Sequence, residues 1–301
     1  MQNLRLFVRM SRPLFLLGGI LVYALGVGIA HYLGSEINWE LYLLGQAWVT
    51  LLQLSAQYLN EYYDAPGDQD NPNRTPFSGG SGAVGPGKLT RSTALMAAAG
   101  CLAVTASLTV LLINTHRLES ATILIMVLCF LGAFFYSAPP VRLASSGYGE
   151  LTTSIIVANL IPGFAYLLQV GDLHRLVPMT TFPVTALHLA MMLAFEFPDY
   201  ASDTKHEKRT LLVRLGWKTG MGFHNLLILI AYLLLAVAVT LGMPFLIALP
   251  AFFTFPVGLL QIWQMRRIAE GASPNWKALT LTALVLFAAA AYLLAFAYWT
   301  R

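Results

Sequence analysis

Apolar runs of about twenty residues recur nine times along the chain, at 13–33, 40–60, 92–113, 119–136, 150–169, 178–198, 221–242, 245–264 and 277–299. A helix of that length spans about 30 Å, the thickness of a bilayer's hydrocarbon core. Charged residues make up 11% of the 301 residues, against about 25% in a soluble globular protein. Within lipid every backbone N–H and C=O must be satisfied internally, which leaves helices or closed barrels. Runs of twenty rather than ten-residue alternations select helices. The expected fold is therefore all-α, a polytopic bundle of about nine transmembrane helices forming one domain over residues 1–301. Arg5, Arg9 and Arg12 precede the first run, which is too long for a signal-peptide core and reads as a retained helix. Cys101 and Cys129 each lie inside an apolar run, so they form no disulfide framework or CxxC metal pair and read as small buried hydrophobes.

Charge sets the expected orientation. With the N-terminus in the cytoplasm, fifteen of the eighteen Lys and Arg residues fall on that side, as the positive-inside bias requires. A net charge of +4 concentrated in short loops reads as topology rather than nucleic-acid binding. The expectation is an integral protein of a bacterial or archaeal cytoplasmic membrane. Two loops on the cytoplasmic side stand out, one over about 61–91, rich in Gly, Pro, Asn and Asp, and one over about 199–220, mixing Asp with Lys and Arg. Long loops between packed helices are commonly functional.

Both loops begin in carboxylates. Gln53, Gln57, Asn60 and Asp64 follow at steps of four, three and four, which puts them on one helical face. Asp68 and Asp70 come just after. At the second loop Glu196, Asp199 and Asp203 share a face, and His188 lies eleven residues before Asp199 on nearly the same side. Crowded carboxylates repel and are costly beside a membrane unless a cation compensates them. Mg²⁺ suits such a place, because it takes a few carboxylate oxygens, keeps waters and accepts phosphate oxygens. Solvated helix ends are the plain alternative for one cluster. Two clusters of like spacing, each followed by basic residues, favour the metal.

Asn60-Glu-Tyr-Tyr-Asp64-Ala-Pro-Gly-Asp68 resembles the first motif of the UbiA superfamily of membrane prenyltransferases, and Asp199-Tyr-Ala-Ser-Asp203 resembles the second. Lys208-Arg209-Thr210, running on to Gly216, and Tyr136-Ser-Ala-Pro-Pro-Val-Arg142, leading into Gly149-Glu150-Leu151, resemble the family's other segments. Arg12-Pro13, the stretch Asn73–Gly82 and Phe197-Pro-Asp-Tyr200 look most like the menaquinone-pathway branch, which prenylates 1,4-dihydroxy-2-naphthoate. Phe195 and Pro198 depart from the family, which often carries Asn and Arg there; Glu196 is the candidate substitute.

The resemblance implies transfer of a polyprenyl group from its diphosphate to an aromatic acid. It implies Mg²⁺ held by Asp64, Asp68, Asp199 and Asp203, with Asn60 alongside and Asp70 and Glu196 as further ligands. Arg74, Arg142, Lys205, Lys208 and Arg209 are the candidates for the diphosphate, since Arg contacts phosphate bidentately and Lys supplies a point charge; plain topological anchoring is the other reading of each. Arg12, Gln57, Tyr63, Tyr136, Asn159 and His188 are candidates for the acceptor and prenyl pocket. Tyr62, Tyr63 and Tyr136 are expected to face an allylic cation or to belong to the interfacial belt. Gly18, Gly19 and Gly26 are expected to make room for a bicyclic ring or to allow close helix packing. Ser78-Gly-Gly-Ser-Gly82 offers backbone N–H groups but lacks the Lys-Ser/Thr ending of a nucleotide-binding loop. The competing readings are a 4-hydroxybenzoate or lipid-precursor prenyltransferase and, from another class, a secondary transporter, whose essential charges lie at the bilayer midplane.

Overall fold

The apolar runs form long helices because a backbone in lipid can satisfy its polar groups only within itself; Pro183 and Pro250 lie inside α-helices, and Gly19 and Gly26 lie within the helix Pro13–Tyr32. A computed structural model of the chain describes residues 2–69, 72–116 and 118–301, with side chains throughout except at 66–69. In order come α1 (Gln2–Met10), α2 (Pro13–Tyr32), α3 (Trp39–Gln69), α4 (Arg91–His116), α5 (Ser120–Ser137), α6 (Gly149–Ile155), a π-helical turn (Ile156–Leu160), and α7 (Ile161–Val170). Then follow α8 (Leu176–Glu196), α9 (Tyr200–Lys205), α10 (Leu211–Leu215), α11 (Trp217–Thr240), α12 (Phe245–Phe252), α13 (Phe255–Ala269) and α14 (Trp276–Trp299). Pro13 opens α2, Gly171 in the left-handed region closes α7, and the Thr210 and Asn275 side chains cap α10 and α14 by accepting from Val213 and Ala278 N–H.

Among the described residues eight helical segments are long and apolar enough to cross a membrane, with α6–α7 and α12–α13 each counting as one. The other long helix, α3, is less apolar because Gln46, Gln53 and Gln57 interrupt its middle. Large apolar side chains such as Leu17, Leu124, Leu233 and Phe253 stand exposed on the bundle's flanks, a surface suited to lipid. The protein is an integral membrane protein.

Packing follows from small side chains. α2 lies against α7 and α14, α3 against α4, and α8 against α11. Gly26 admits the Pro162 backbone, and Gly19 admits the Gln53 side chain, whose Nε2 donates to Phe15 O at 2.7 Å. Any Cβ at either position would collide with these partners. These two glycines thus serve close packing, whereas Gly18 faces a cavity.

The loops are shorter than their composition suggests. α3 continues as helix through Gln69, so Asn60 and Asp64 stay on a rigid surface. The second loop contains α9 and α10, separated from α8 and α11 by Phe197–Asp199 and Gly216. The short helix α1, with Arg5 and Arg9 beside apolar Leu4, Leu6, Phe7 and Val8, is absent from the sequence reading because it is too short to register as a span.

Candidate active site

One cavity of about 270 Å³ opens between α2, α3, α5, α8 and the segment Phe77–Gly80, and both carboxylate motifs line it. Asn60 and Asp64 reach it from α3, Asp199 and Asp203 from the α8–α9 junction, and Lys208 from the turn after α9. The opposite end is apolar, with Trp48, Leu52, Ile161, Met191, Leu284 and Phe287.

The polar end is organised around Asp64. Its Oδ2 accepts from Asn60 Nδ2 at 2.8 Å and from Lys208 Nζ at 3.1 Å. Lys208 is also 3.9 Å from Asp203 Oδ1. Asp199 Oδ2 accepts from the Gly79 backbone N–H at 2.9 Å, so the glycine-rich segment touches the second motif directly. Gly79 and Gly80 adopt φ of 73° and 70°, a region in which a side chain is strained. Burial raises the Asp203 carboxyl to about 6, and Asp199, Asp64 and Glu150 push it the same way while Lys208 pulls it down.

The donor set fits a hard divalent cation. Gln57 and Glu196 line the cavity, and Gln57 Oε1 and Glu196 Oε2 are buried oxygens with no hydrogen-bond donor in reach. Glu150 and Glu196 bring their carboxyl groups together; Glu150 Oε1 accepts from Leu211 N–H at 2.9 Å, and its Oε2 likewise lacks a donor. Orphan oxygens among carboxylates are what a cation satisfies. Among the described residues no group of three or more His, Cys, Asp or Glu side chains is close enough to hold a metal unaided. Asp70 lies outside the described residues, as does the Asp68 side chain.

The other expected residues divide. Arg12, Gln57, Tyr136 and His188 line the cavity. His188 Nδ1 pairs with Ser154 Oγ at 2.9 Å, and its ring meets the Phe287 edge at 4.8 Å. Asn159 instead donates to Thr181 Oγ1 at 2.8 Å, holding the π-helical turn to α8, and Tyr63 packs on Tyr62; neither lines the cavity. Arg142, Lys205 and Arg209 stand exposed on the loops. Arg74 donates to Gly79 O and lines a neighbouring cavity of about 420 Å³ together with Arg9 and Arg12.

Two features escape the sequence reading, the phenylalanine cluster and the burial of Glu61. Phe15, Phe77 and Phe195 form a cluster on the cavity wall, with Phe77 and Phe195 stacked at 5.7 Å and 14°. Phe195 therefore replaces a polar position with a ring in contact with the site. The glycine-rich stretch, expected to offer backbone N–H groups, does so at Gly79, toward Asp199. Glu61, between motif positions, is buried in an ion pair with Arg12 at 2.6 Å.

Comparison with known proteins identifies the family. The UbiA prenyltransferase family profile matches residues 20–281. The chain is 29% identical over 233 residues to the 1,4-dihydroxy-2-naphthoate octaprenyltransferase of Mycobacterium tuberculosis, covering 75% of this chain and 76% of that one. It is 27% identical over 213 residues to the Mycobacterium leprae protein of the same name, covering 68% of each. A UbiA homologue from Archaeoglobus fulgidus, solved bound to GPP and Mg²⁺, superposes with TM-score 0.70 at 17% identity over 98% of this chain and 100% of that one. The transporter reading falls with this match. The chain belongs to the UbiA prenyltransferase family and is a membrane prenyltransferase.

Proposed function

We propose that the protein transfers a polyprenyl chain from its diphosphate to 1,4-dihydroxy-2-naphthoate, with Mg²⁺ and with release of CO₂, as a step of menaquinone synthesis. The observation that carries this reading is a single cavity with carboxylates and a lysine at one end and an apolar wall at the other. That polarity matches a substrate with a charged head and an insoluble tail. The mycobacterial relatives' names support the acceptor.

Asn60, Asp64, Asp199 and Asp203 would hold Mg²⁺, with Gln57 and Glu196 as further oxygen donors and Asp68 expected to join them. When bound, the ion neutralises the leaving diphosphate and so eases loss of the allylic C–O bond. Lys208, already between Asp64 and Asp203, supplies a mobile positive charge to the same diphosphate. The Gly79 and Gly80 backbone contributes close approach without side-chain bulk. The rings of Phe15, Phe77 and Phe195 border the reacting end, where aromatic faces stabilise a developing carbocation. Trp48, Leu52, Met191 and Phe287 exclude water, which protects the cation from hydrolysis. Arg12 meets the acceptor's carboxylate at the cavity mouth. The electron-rich naphthoate ring attacks as a carbon nucleophile, and CO₂ departs from the ring.

The positive-inside bias supports placing both motifs on the cytoplasmic face of a prokaryotic inner membrane. The test is purified protein in detergent with radiolabelled polyprenyl diphosphates and a panel of aromatic acids. The expected result is a prenylated naphthoquinol with stoichiometric CO₂ in Mg²⁺, and no product in excess chelator. Prenylation of 4-hydroxybenzoate with its carboxylate retained, and none of the naphthoate, would overturn the acceptor assignment. Full turnover in chelator would overturn the metal's role.

A further inference from the structure

Arg12 stands where two cavities meet. It lines the cavity of the carboxylate motifs and the adjoining one shared with Arg9 and Arg74. It lies between α1 and α2 at φ 41°, in the left-handed region. Helix geometry therefore does not set where its guanidinium points; its partners do. Arg12 Nη2 donates to Glu61 Oε1 at 2.6 Å, and more distantly to Asn60 Oδ1 at 3.4 Å.

Glu61 is only 3% exposed and does not line the motif cavity. Its carboxylate has further duties. Oε1 also accepts from the Ser81 backbone N–H, and Oε2 accepts from Ser81 Oγ, both at 2.7 Å. One buried carboxylate thus fastens three pieces of chain: the α1–α2 junction, α3, and the glycine-rich segment whose Gly79 N–H meets Asp199. A guanidinium is a planar fork of five donors, so engaging one nitrogen with a buried carboxylate fixes the plane of the rest.

We propose that Glu61 is a positioning residue for the aromatic acceptor: it aims Arg12 at the boundary of the two cavities, where the acceptor's carboxylate is received. Glu61 touches neither substrate and acts through Arg12. The inference rests on the reading that Arg12 binds that carboxylate.

The test is a double-mutant comparison with Arg12→Ala, Glu61→Gln and the pair, measuring kcat and both KM values, with thermal unfolding in detergent as the check on folding. Glu61→Gln keeps an acceptor oxygen but loses the charge. It is expected to raise the naphthoate KM about tenfold, the scale of one charge-assisted hydrogen bond. The prenyl diphosphate KM and kcat should stay within about twofold. In the Arg12→Ala background the same change should leave the naphthoate KM within about twofold of the single variant, since the residue it acts through is gone. If Glu61→Gln does not fold, Glu61→Asp carries the same comparison with a shortened reach. Equal effects of Glu61→Gln in both backgrounds, or a fall in kcat with both KM values raised, would overturn the proposal and leave Glu61 a structural anchor. Arg12→Ala raising the naphthoate KM while Glu61→Gln leaves it unchanged would overturn it too. An Arg12→Ala variant with an unaltered naphthoate KM would instead remove Arg12 from the acceptor site, and the proposal with it.

Discussion

The two carboxylate motifs look alike in sequence and differ in physical state. The first lies on α3, an uninterrupted helix of 31 residues, and its Asp64 and the adjoining Glu61 are each paired with a cation. Asn60 and Lys208 serve Asp64, and Arg12 serves Glu61. The second lies at a break, where α8 ends at Glu196 and the six-residue α9 starts after Asp199. There the acids are crowded: Glu196 meets Glu150, Asp203 is pushed up to about 6, and Lys208 is 3.9 Å from Asp203 but closer to Asp64. A continuous helical wall thus faces a jointed one in which carboxyl groups sit beside carboxyl groups.

The largest effect should come from removing one carboxylate on each side. Asp64→Ala and Asp199→Ala should each lower kcat/KM by about 10²-fold or more, the scale of lost charge stabilisation at a reacting centre. Both proteins should keep their membrane insertion and thermal transition. Near-normal turnover of either variant would break the view that the two walls act as one site.

Lysine placement sharpens the comparison next. Lys208 bridges the walls, whereas Arg142 stands exposed on its loop. Lys208→Ala should cost at least about tenfold in kcat/KM, as expected for a charged contact to phosphate. Arg142→Ala should stay within about threefold. The reverse ranking, read from the same initial rates, would place the diphosphate nearer the loop surface.

How much of this was legible follows from what each residue does. The helices could be read because lipid demands long apolar runs, and the motifs because carboxylates at steps of four share a helical face. Asn159 and Tyr63 carried the same signal as cavity residues but pack away from it, since polarity inside a bundle marks any interhelical contact. The glycine-rich stretch announced backbone donors but not that Gly79 N–H would meet Asp199, and Phe195 stood out as a departure but not as part of a cluster with Phe15 and Phe77, because such contacts exist only through the fold. Glu61 was visible only as the start of a supposed loop, and continuation of α3 turned it into a buried ion-pair partner.

A smaller effect concerns pH. The Asp203 carboxyl has a folded value near 6 against an ordinary 3.8, so the folded protein holds this proton more tightly than the unfolded chain. Stability from this group is therefore greatest at low pH and declines as pH rises from about 4 to 6. In chelator, Tm should fall across that window. Added Mg²⁺ should raise Tm more at pH 7 than at pH 5, and Asp203→Asn should flatten both trends. A Tm in chelator that rises between pH 4 and 6 more steeply in the wild type than in Asp203→Asn would contradict the assignment.

The most direct measurement is equilibrium binding of a non-hydrolysable prenyl thiolodiphosphate to the purified protein, titrated with Mg²⁺ or with excess chelator. The account predicts that binding tightens by at least about tenfold with Mg²⁺, as expected when charge on a diphosphate is neutralised. It further predicts that either Asp64→Ala or Asp199→Ala abolishes the Mg²⁺ gain. Equal affinity in Mg²⁺ and chelator, or a full gain surviving in one of the two variants, would contradict a diphosphate site shared between the two walls.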